Sequence, residues 1–321
     1  LAWRDSDGYR DHADARKRGV AGKWFYTAPE GAFRAGLTTR YYDNHALEAG
    51  YLDAAAARAA PRRSPDYAQN DQSERRVRQT ALHADGEFGE QMQLSAKAYQ
   101  NDYRNRRWVR FSAAGLQQER DTDETYRGLL LIGNWQPNWG ALDANLEAGV
   151  DAQWQNNQAQ RYRSVARVRG VQLRDWMYDL HTRGAYVQAV LTPFARLQLV
   201  PGYRIDHVGG QLHDVLAGIF APSYDYGTIK QPKFSASYHV GEQSSVYANW
   251  GRTFQIGSGN GAYRRQPGHL WPSINDGWEV GFKFAPSSLV DGRLAYWEQR
   301  ASGEVATILG VNGVAGIGEV A

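Results

Sequence analysis

The chain has 321 residues and a negative mean hydropathy, yet 12% of its residues are aromatic. Disordered chains are polar but poor in aromatics, and no stretch here approaches the roughly 18 consecutive apolar residues of a membrane helix, so both classes are excluded. With 37 basic against 34 acidic residues, a net charge of +3 and no cysteine, nothing points to nucleic acid, a disulfide scaffold or a thiolate metal site.

Period-2 alternation predicts strands in pairs. In chain order the pairs are 16–26 with 33–42, 76–87 with 92–103, 126–135 with 141–155, 183–191 with 196–207, 230–239 with 245–254, and 276–284 with 292–301. A further strand is expected to end at Arg4. Within each pair the turn is short, as at Ala28-Pro29-Glu30-Gly31 and Val240-Gly241-Glu242. Between pairs the connections are long: 43–75, 104–125, 156–182, 208–229 and 255–275. Short turns on one side and long loops on the other are the pattern of a transmembrane β-barrel. One strand shows the two faces. Leu197, Leu199, Tyr203 and Ile205 share a side that suits lipid, while Arg196, Gln198, Arg204 and Asp206 share the side expected to face inward. In the first long loop, residues 53–60 predict a short helix capped by Asp53 and stopped by Pro61. Without a basic, apolar leader at Leu1 or a closing aromatic strand, residues 1–321 are expected to be a partial barrel domain.

Enzyme chemistry is not expected. Gly257-Ser258-Gly259-Asn260-Gly261-Ala262 mimics a dinucleotide fingerprint, but Tyr263-Arg264-Arg265-Gln266-Pro267 follows where a helix is needed. His207 and His213 are the only histidines suggesting a metal pair, and they read equally as solvated loop residues. The distinctive polar features are two arginine ladders at strand spacing. Arg104, Arg106 and Arg110 share parity with Trp108, and Arg161, Arg163, Arg167 and Arg169 share parity with Val165. A column of guanidinium groups suits carboxylate or catecholate oxygens. It also suits lipopolysaccharide phosphates on an outer face, or salt bridges to lumen acids such as Glu147 and Asp151. Tyr224, Tyr226, Tyr263, Arg264 and Trp271 add loop aromatics and charge that fit either a rigid ligand pocket or a membrane-surface anchor.

Four stretches then resemble one family in its own order. Arg4-Asp5-Ser6-Asp7-Gly8-Tyr9-Arg10-Asp11, Ile229-Lys230-Gln231-Pro232-Lys233-Phe234-Ser235, Val246-Tyr247-Ala248-Asn249-Trp250-Gly251-Arg252-Thr253-Phe254 and Trp278-Glu279-Val280-Gly281-Phe282-Lys283 are similar to segments of TonB-dependent outer-membrane receptors of the ferric-siderophore type. The resemblance implies the central strands of a 22-stranded barrel that is plugged by an N-terminal domain lying outside this sequence. It implies capture of a ferric siderophore in the outer loops, import driven by the inner-membrane TonB energy-transducing complex, and residence in a Gram-negative outer membrane among lipid and lipopolysaccharide. Iron would enter only as part of the transported chelate, with no resident cofactor. Arg40-Tyr41-Tyr42, followed by Glu48-Ala49-Gly50-Tyr51-Leu52, resembles receptors for carboxylate-type siderophores. A passive porin or an adhesive or structural barrel is the competing reading, separable by whether a plug-sized domain precedes Leu1.

Overall fold

The computed structural model describes residues 1–223, 226–255, 272–309 and 315–320. One antiparallel sheet takes its strands in chain order. They are β1 (Ala2–Ser6), β2 (Ala15–Thr27), β3 (Phe33–Leu47), β4 (Gln72–Phe88), β5 (Met92–Val109), β6 (Gln118–Trp135), β7 (Asp143–Val165), β8 (Val168–Phe194) and β9 (Leu197–Asp214). The path continues through β11 (Thr228–Gly241), β12 (Ser244–Gln255), β13 (Ser273–Ser287) and β14 (Val290–Ser302). The short β10 (Ile219–Pro222) pairs only with β9, and β15 (Glu304–Leu309) with β16 (Ala315–Val320) forms a separate hairpin. The meander is that of an all-β barrel segment, as the alternation predicts. Among the described residues no helix is long and apolar enough to cross a membrane.

The strands are longer than predicted, and the long loops correspondingly shorter. Residues 104–109 and 118–125 extend β5 and β6, and most of 156–182 belongs to β7 and β8. The predicted loop there is a hairpin that reverses at Ala166 and Arg167, both with positive φ. The reason is chemical. Beyond the membrane both faces of a strand are polar, so Gln155-Asn156-Asn157-Gln158 carries no hydrophobic alternation to read, although its backbone ladder is continuous. Asp53 behaves as predicted: its carboxylate accepts the Ala56 amide at 2.8 Å and starts helix α1 (Ala54–Ala59).

Register divides the sheet into two faces. On one, Ala98, Leu129 and Ala152 lie side by side across β5, β6 and β7, with Leu131 opposite Val150 on the next rung. Leu82, Leu129, Leu131, Val150, Val187, Tyr203 and Ile205 are exposed there, as an outer-membrane barrel presents apolar side chains to lipid. The opposite face is polar and is the lumen face. Arg204 sits there, with Asp151 at 2.8 Å and Asp206 at 2.6 Å. The division is the one predicted for Tyr203, Arg204, Ile205 and Asp206.

Three tyrosines strengthen the lumen face by covering a cross-strand glycine: Tyr99 over Gly128, Tyr186 over Gly149 and Tyr247 over Gly281. A Cβ at any of these glycines would meet a ring carbon of the tyrosine at 2.4 Å. Each hydroxyl is also used, donating to Gln153 at 2.7 Å, Glu147 at 2.9 Å and Glu279 at 2.6 Å respectively. Toward the long-loop end the same face holds a buried apolar cluster of Ala159, Trp176, Tyr178, Leu180 and Leu212. That cluster stiffens β7, β8 and β9 where they rise past the membrane.

Candidate ligand-binding site

Near the long-loop end, four strands place an arginine on the same rung of the lumen face. Arg107 of β5 is opposite Arg120 of β6, Arg120 opposite Arg161 of β7, and Arg161 opposite Arg174 of β8. Neighbouring strands lie about 4.8 Å apart, so this is a compact row of four positive charges. Only Arg107 has a carboxylate partner in the described contacts of the first three: it forks onto Glu48, with Nε at 2.8 Å and Nη2 at 2.6 Å. Arg120 has a weak contact to Gln118 at 3.4 Å, and its buried Nε donates to nothing among the described residues. Burial and the charges of Arg161, Arg107 and Arg174 all oppose the charge on Arg120. A cluster that is costly when empty is stabilised by whatever anion fills it.

Aromatic groups frame the row. The Phe111 ring lies under the Arg120 guanidinium at 4.8 Å and stacks on Tyr51 with ring centroids 5.7 Å apart. Arg174 lies over Trp176 at 3.6 Å. Tyr51 and Phe111 are both exposed. Two further buried acceptors on the lumen face, Asn105 Oδ1 and Asn157 Oδ1, have no partner among the described residues, although buried polar atoms are usually satisfied. Farther down the lumen, a concave space of about 1100 Å³ is lined by Lys97, Tyr99, Asn101, Tyr103, Glu124 and Tyr126 among others. The arrangement can bind a polyanion with planar oxyanion groups and pass it toward a polar channel wall.

Two residues hold the loops that carry this row. Asp71 has no exposed surface. Its carboxylate accepts the Arg110 amide at 2.7 Å and Gln117 Nε2 at 2.9 Å, and its carbonyl accepts His12 Nε2 at 2.9 Å and the Glu48 amide at 3.0 Å. Gln117 Oε1 in turn accepts the Arg167 amide at 2.9 Å and Ser164 Oγ at 3.2 Å. Four loop segments meet at this clamp, which also offsets the left-handed backbone at Ala166 and Arg167. Burial raises the Asp71 pKa above its ordinary 3.8, against the hydrogen bonds from Arg110 and Gln117. A raised carboxyl pKa means that the folded clamp holds the proton more tightly than the unfolded chain does. Its contribution is complete below the ordinary value and is lost as pH rises through the raised one. Amide exchange at Arg110 and Arg167, corrected for intrinsic rates, should therefore quicken from acid to neutral pH. Asp71→Asn should flatten that dependence, and an unchanged pH profile in this variant would rule out Asp71 as its source.

The predicted site residues are distributed differently. Arg161 is in the row, and Arg163 lies opposite Gln118, nearer the tip. The second ladder is not one strand: Arg167 is in the β7–β8 turn, donating from Nη1 to Gln72, and Arg169 is on β8. Arg104, Arg106 and Trp108 share the parity of the lipid-side face. There Arg106 bonds Asp121 at 3.0 Å, Arg104 approaches Asp121 at 3.5 Å, and Arg169 pairs with Glu119 over the Tyr162 ring. Arg110 turns back onto the carbonyls of Gly115 and Ala113. Tyr226 precedes β11 and has bonded partners. Tyr224, Tyr263, Arg264 and Trp271 lie outside the described residues. Sequence reading did not single out Arg107, Arg120, Arg174 or Phe111, and it met Tyr51 only within the Glu48–Leu52 stretch. Parity did carry a signal for Arg107, which stands one residue from Arg106 and so on the opposite face.

An apolar-belted antiparallel meander whose other face is polar has the build of an outer-membrane type of barrel. The chain belongs to the family described as TonB dependent receptor-like, beta-barrel, whose model matches residues 2–318. This is a family of receptors and transporters, not enzymes. No curated protein matches the chain by sequence. Among solved structures it is similar to the ferric citrate transporter FecA in the unliganded form, with 16% identity and a TM-score of 0.82 over 95% of this chain and 46% of that one. It is also similar to BauA, the ferric preacinetobactin receptor from Acinetobacter baumannii, with 15% identity and a TM-score of 0.73 over 99% and 51% of the two chains. The ferric-catecholate import receptor Fiu from K12 E. coli aligns at 14% identity and a TM-score of 0.72, over 96% and 54%. At these identities the likeness is one of fold, and the chain spans about half the length of each structure.

Proposed function

We propose that the protein containing this chain is an energy-coupled receptor of a Gram-negative outer membrane that imports an anionic ferric siderophore. The row Arg107–Arg120–Arg161–Arg174 carries this reading. Guanidinium groups bind carboxylate and catecholate oxygens bidentately, and Arg120 and Arg161 stand between Arg107 and Arg174 on one rung of the lumen face. Tyr51 and Phe111 offer flat apolar surface beside it for the ligand's organic frame. Iron is cargo within the chelate, and transport draws on an inner-membrane energy-transducing complex of the TonB type.

Titrating the purified full-length protein with a ferric polycarboxylate chelate and with a neutral ferric chelate of similar size tests the reading. Tight binding of the anionic complex alone is expected. Equal binding of both would remove the arginine row from recognition. Arg104→Ala with Arg106→Ala is expected to leave chelate affinity within about twofold, because these side chains lie on the opposite face and neutralise Glu119 and Asp121. A large loss of affinity in that double variant would relocate the site to the outer side of the strands.

A further inference from the structure

The boundary between the apolar band and the polar strand ends on the lipid-side face is uneven in charge. Several of its arginines are neutralised locally, while Arg18 and Arg78 have no ion pair among the described residues. Arg16 pairs with Asp5 at 3.4 Å, Arg76 with Asp43 at 3.2 Å, Arg252 with Asp276 at 2.7 Å and Arg300 with Glu298 at 2.7 Å. Between β8 and β11 basic side chains gather on adjacent strands. His181, Arg183, His207 and Lys230 all take the lipid-side parity, and none has an ion pair among the described residues. Arg183 is directly opposite His207, and the rings of His181 and His207 lie 6.3 Å apart. Trp154 stands opposite His181 and Arg127 opposite Trp154, so the basic strip continues onto β6. Immediately below, on the same face, lie Val150, Val187, Tyr203 and Ile205, all exposed.

The cations step down by about one rung as the strip crosses from β8 to β11. His181 lies level with Gly209, Arg183 with His207, and Lys230 with Ile205. Strands of a membrane barrel tilt by roughly 35–45°, so a line stepping across rungs in this way can run level with the bilayer surface. We infer that His181, Arg183, His207 and Lys230 form a binding site for the phosphate groups of a phosphorylated membrane lipid, whose acyl chains lie on Val150, Val187, Tyr203 and Ile205. The charge of Arg183 and Lys230 is unspent, His181 and His207 add ring N–H donors beside it, and acyl-compatible surface continues beneath. A soluble anion would use the cations but not the apolar surface. This inference rests on the chain standing in a bilayer and is independent of what the lumen row binds.

Native mass spectrometry of the full-length protein in detergent tests it, with a bis-phosphorylated, multiply acylated glucosamine disaccharide lipid as the probe and its dephosphorylated form as the comparison. The phosphorylated lipid is expected to remain bound and the dephosphorylated one to be lost. Arg183→Gln with Lys230→Gln should weaken retention at least about tenfold, while Arg76→Gln, whose guanidinium is already paired with Asp43, should not. Equal retention of the two lipids by the unmodified protein would overturn the site without recourse to any variant. So would full retention by the double variant, or displacement of the lipid by millimolar inorganic phosphate. Arg120→Ala with Arg161→Ala should keep lipid binding while losing the chelate, so failure of the siderophore reading and failure of this one give different results.

Discussion

Arg120→Ala combined with Arg161→Ala in the full-length protein is expected to lower affinity for an anionic ferric chelate by about 100- to 10,000-fold. Each arginine lost removes a charge-assisted contact worth about 1.5–3 kcal/mol, and a factor of ten corresponds to about 1.4 kcal/mol. Folding should not suffer. Both side chains are partly buried, like-charged neighbours without carboxylate partners among the described residues, so their removal relieves repulsion and desolvation in the empty barrel. Isothermal titration gives the affinity, and a heat-induced mobility shift of the barrel reports folding. Arg120→Lys separates charge from geometry, because lysine keeps the charge and loses the planar fork. An unaltered affinity in the double alanine variant would mean that the ligand is held elsewhere.

Leu131→Arg should destabilise the folded barrel by about 2–4 kcal/mol, the cost of a guanidinium near the middle of the lipid face. Leu130→Arg, one residue away, should be tolerated. Its side chain shares a rung with Asp151 and Lys97 on the lumen face, where an added cation meets water and a carboxylate. Denaturant titration of the full-length protein into and out of lipid vesicles would measure both. A larger cost for Leu130→Arg than for Leu131→Arg would show that the faces are assigned the wrong way round.

The faces were legible in the sequence because lipid on one side and water on the other impose a period of two. Tyr203 and Ile205 against Arg204 and Asp206 state it within four residues. The short turns were legible from proline, glycine and small polar residues, and the α1 helix from its aspartate cap. The upper ends of the strands were not. In water both faces tolerate polar side chains, and 104–125 and 156–182 therefore read as loop while the backbone ladder runs on. Legibility of the site failed for a related reason. A run such as Arg104-Asn105-Arg106-Arg107 puts arginines on both faces, and the choice between them depends on register with β6, β7 and β8. The arginines that meet Arg107 are 13, 54 and 67 residues away in sequence, at 120, 161 and 174, so no local pattern links them.

That dependence on register has an evolutionary side. In β6 the order is Glu119-Arg120-Asp121, so acid and base alternate across the two faces at the very rung where the arginines meet. Inserting or deleting one residue of β6 between this rung and the lipid band would turn Arg120 outward and bring Glu119 or Asp121 into the row. The row would change from four adjacent cations to three cations around a carboxylate, halving its net charge and weakening its hold on a polyanion. Barrels of this build can thus retune the charge of a lumen row by a single codon's indel, leaving the lipid-facing band, the turns and the strand order as they were.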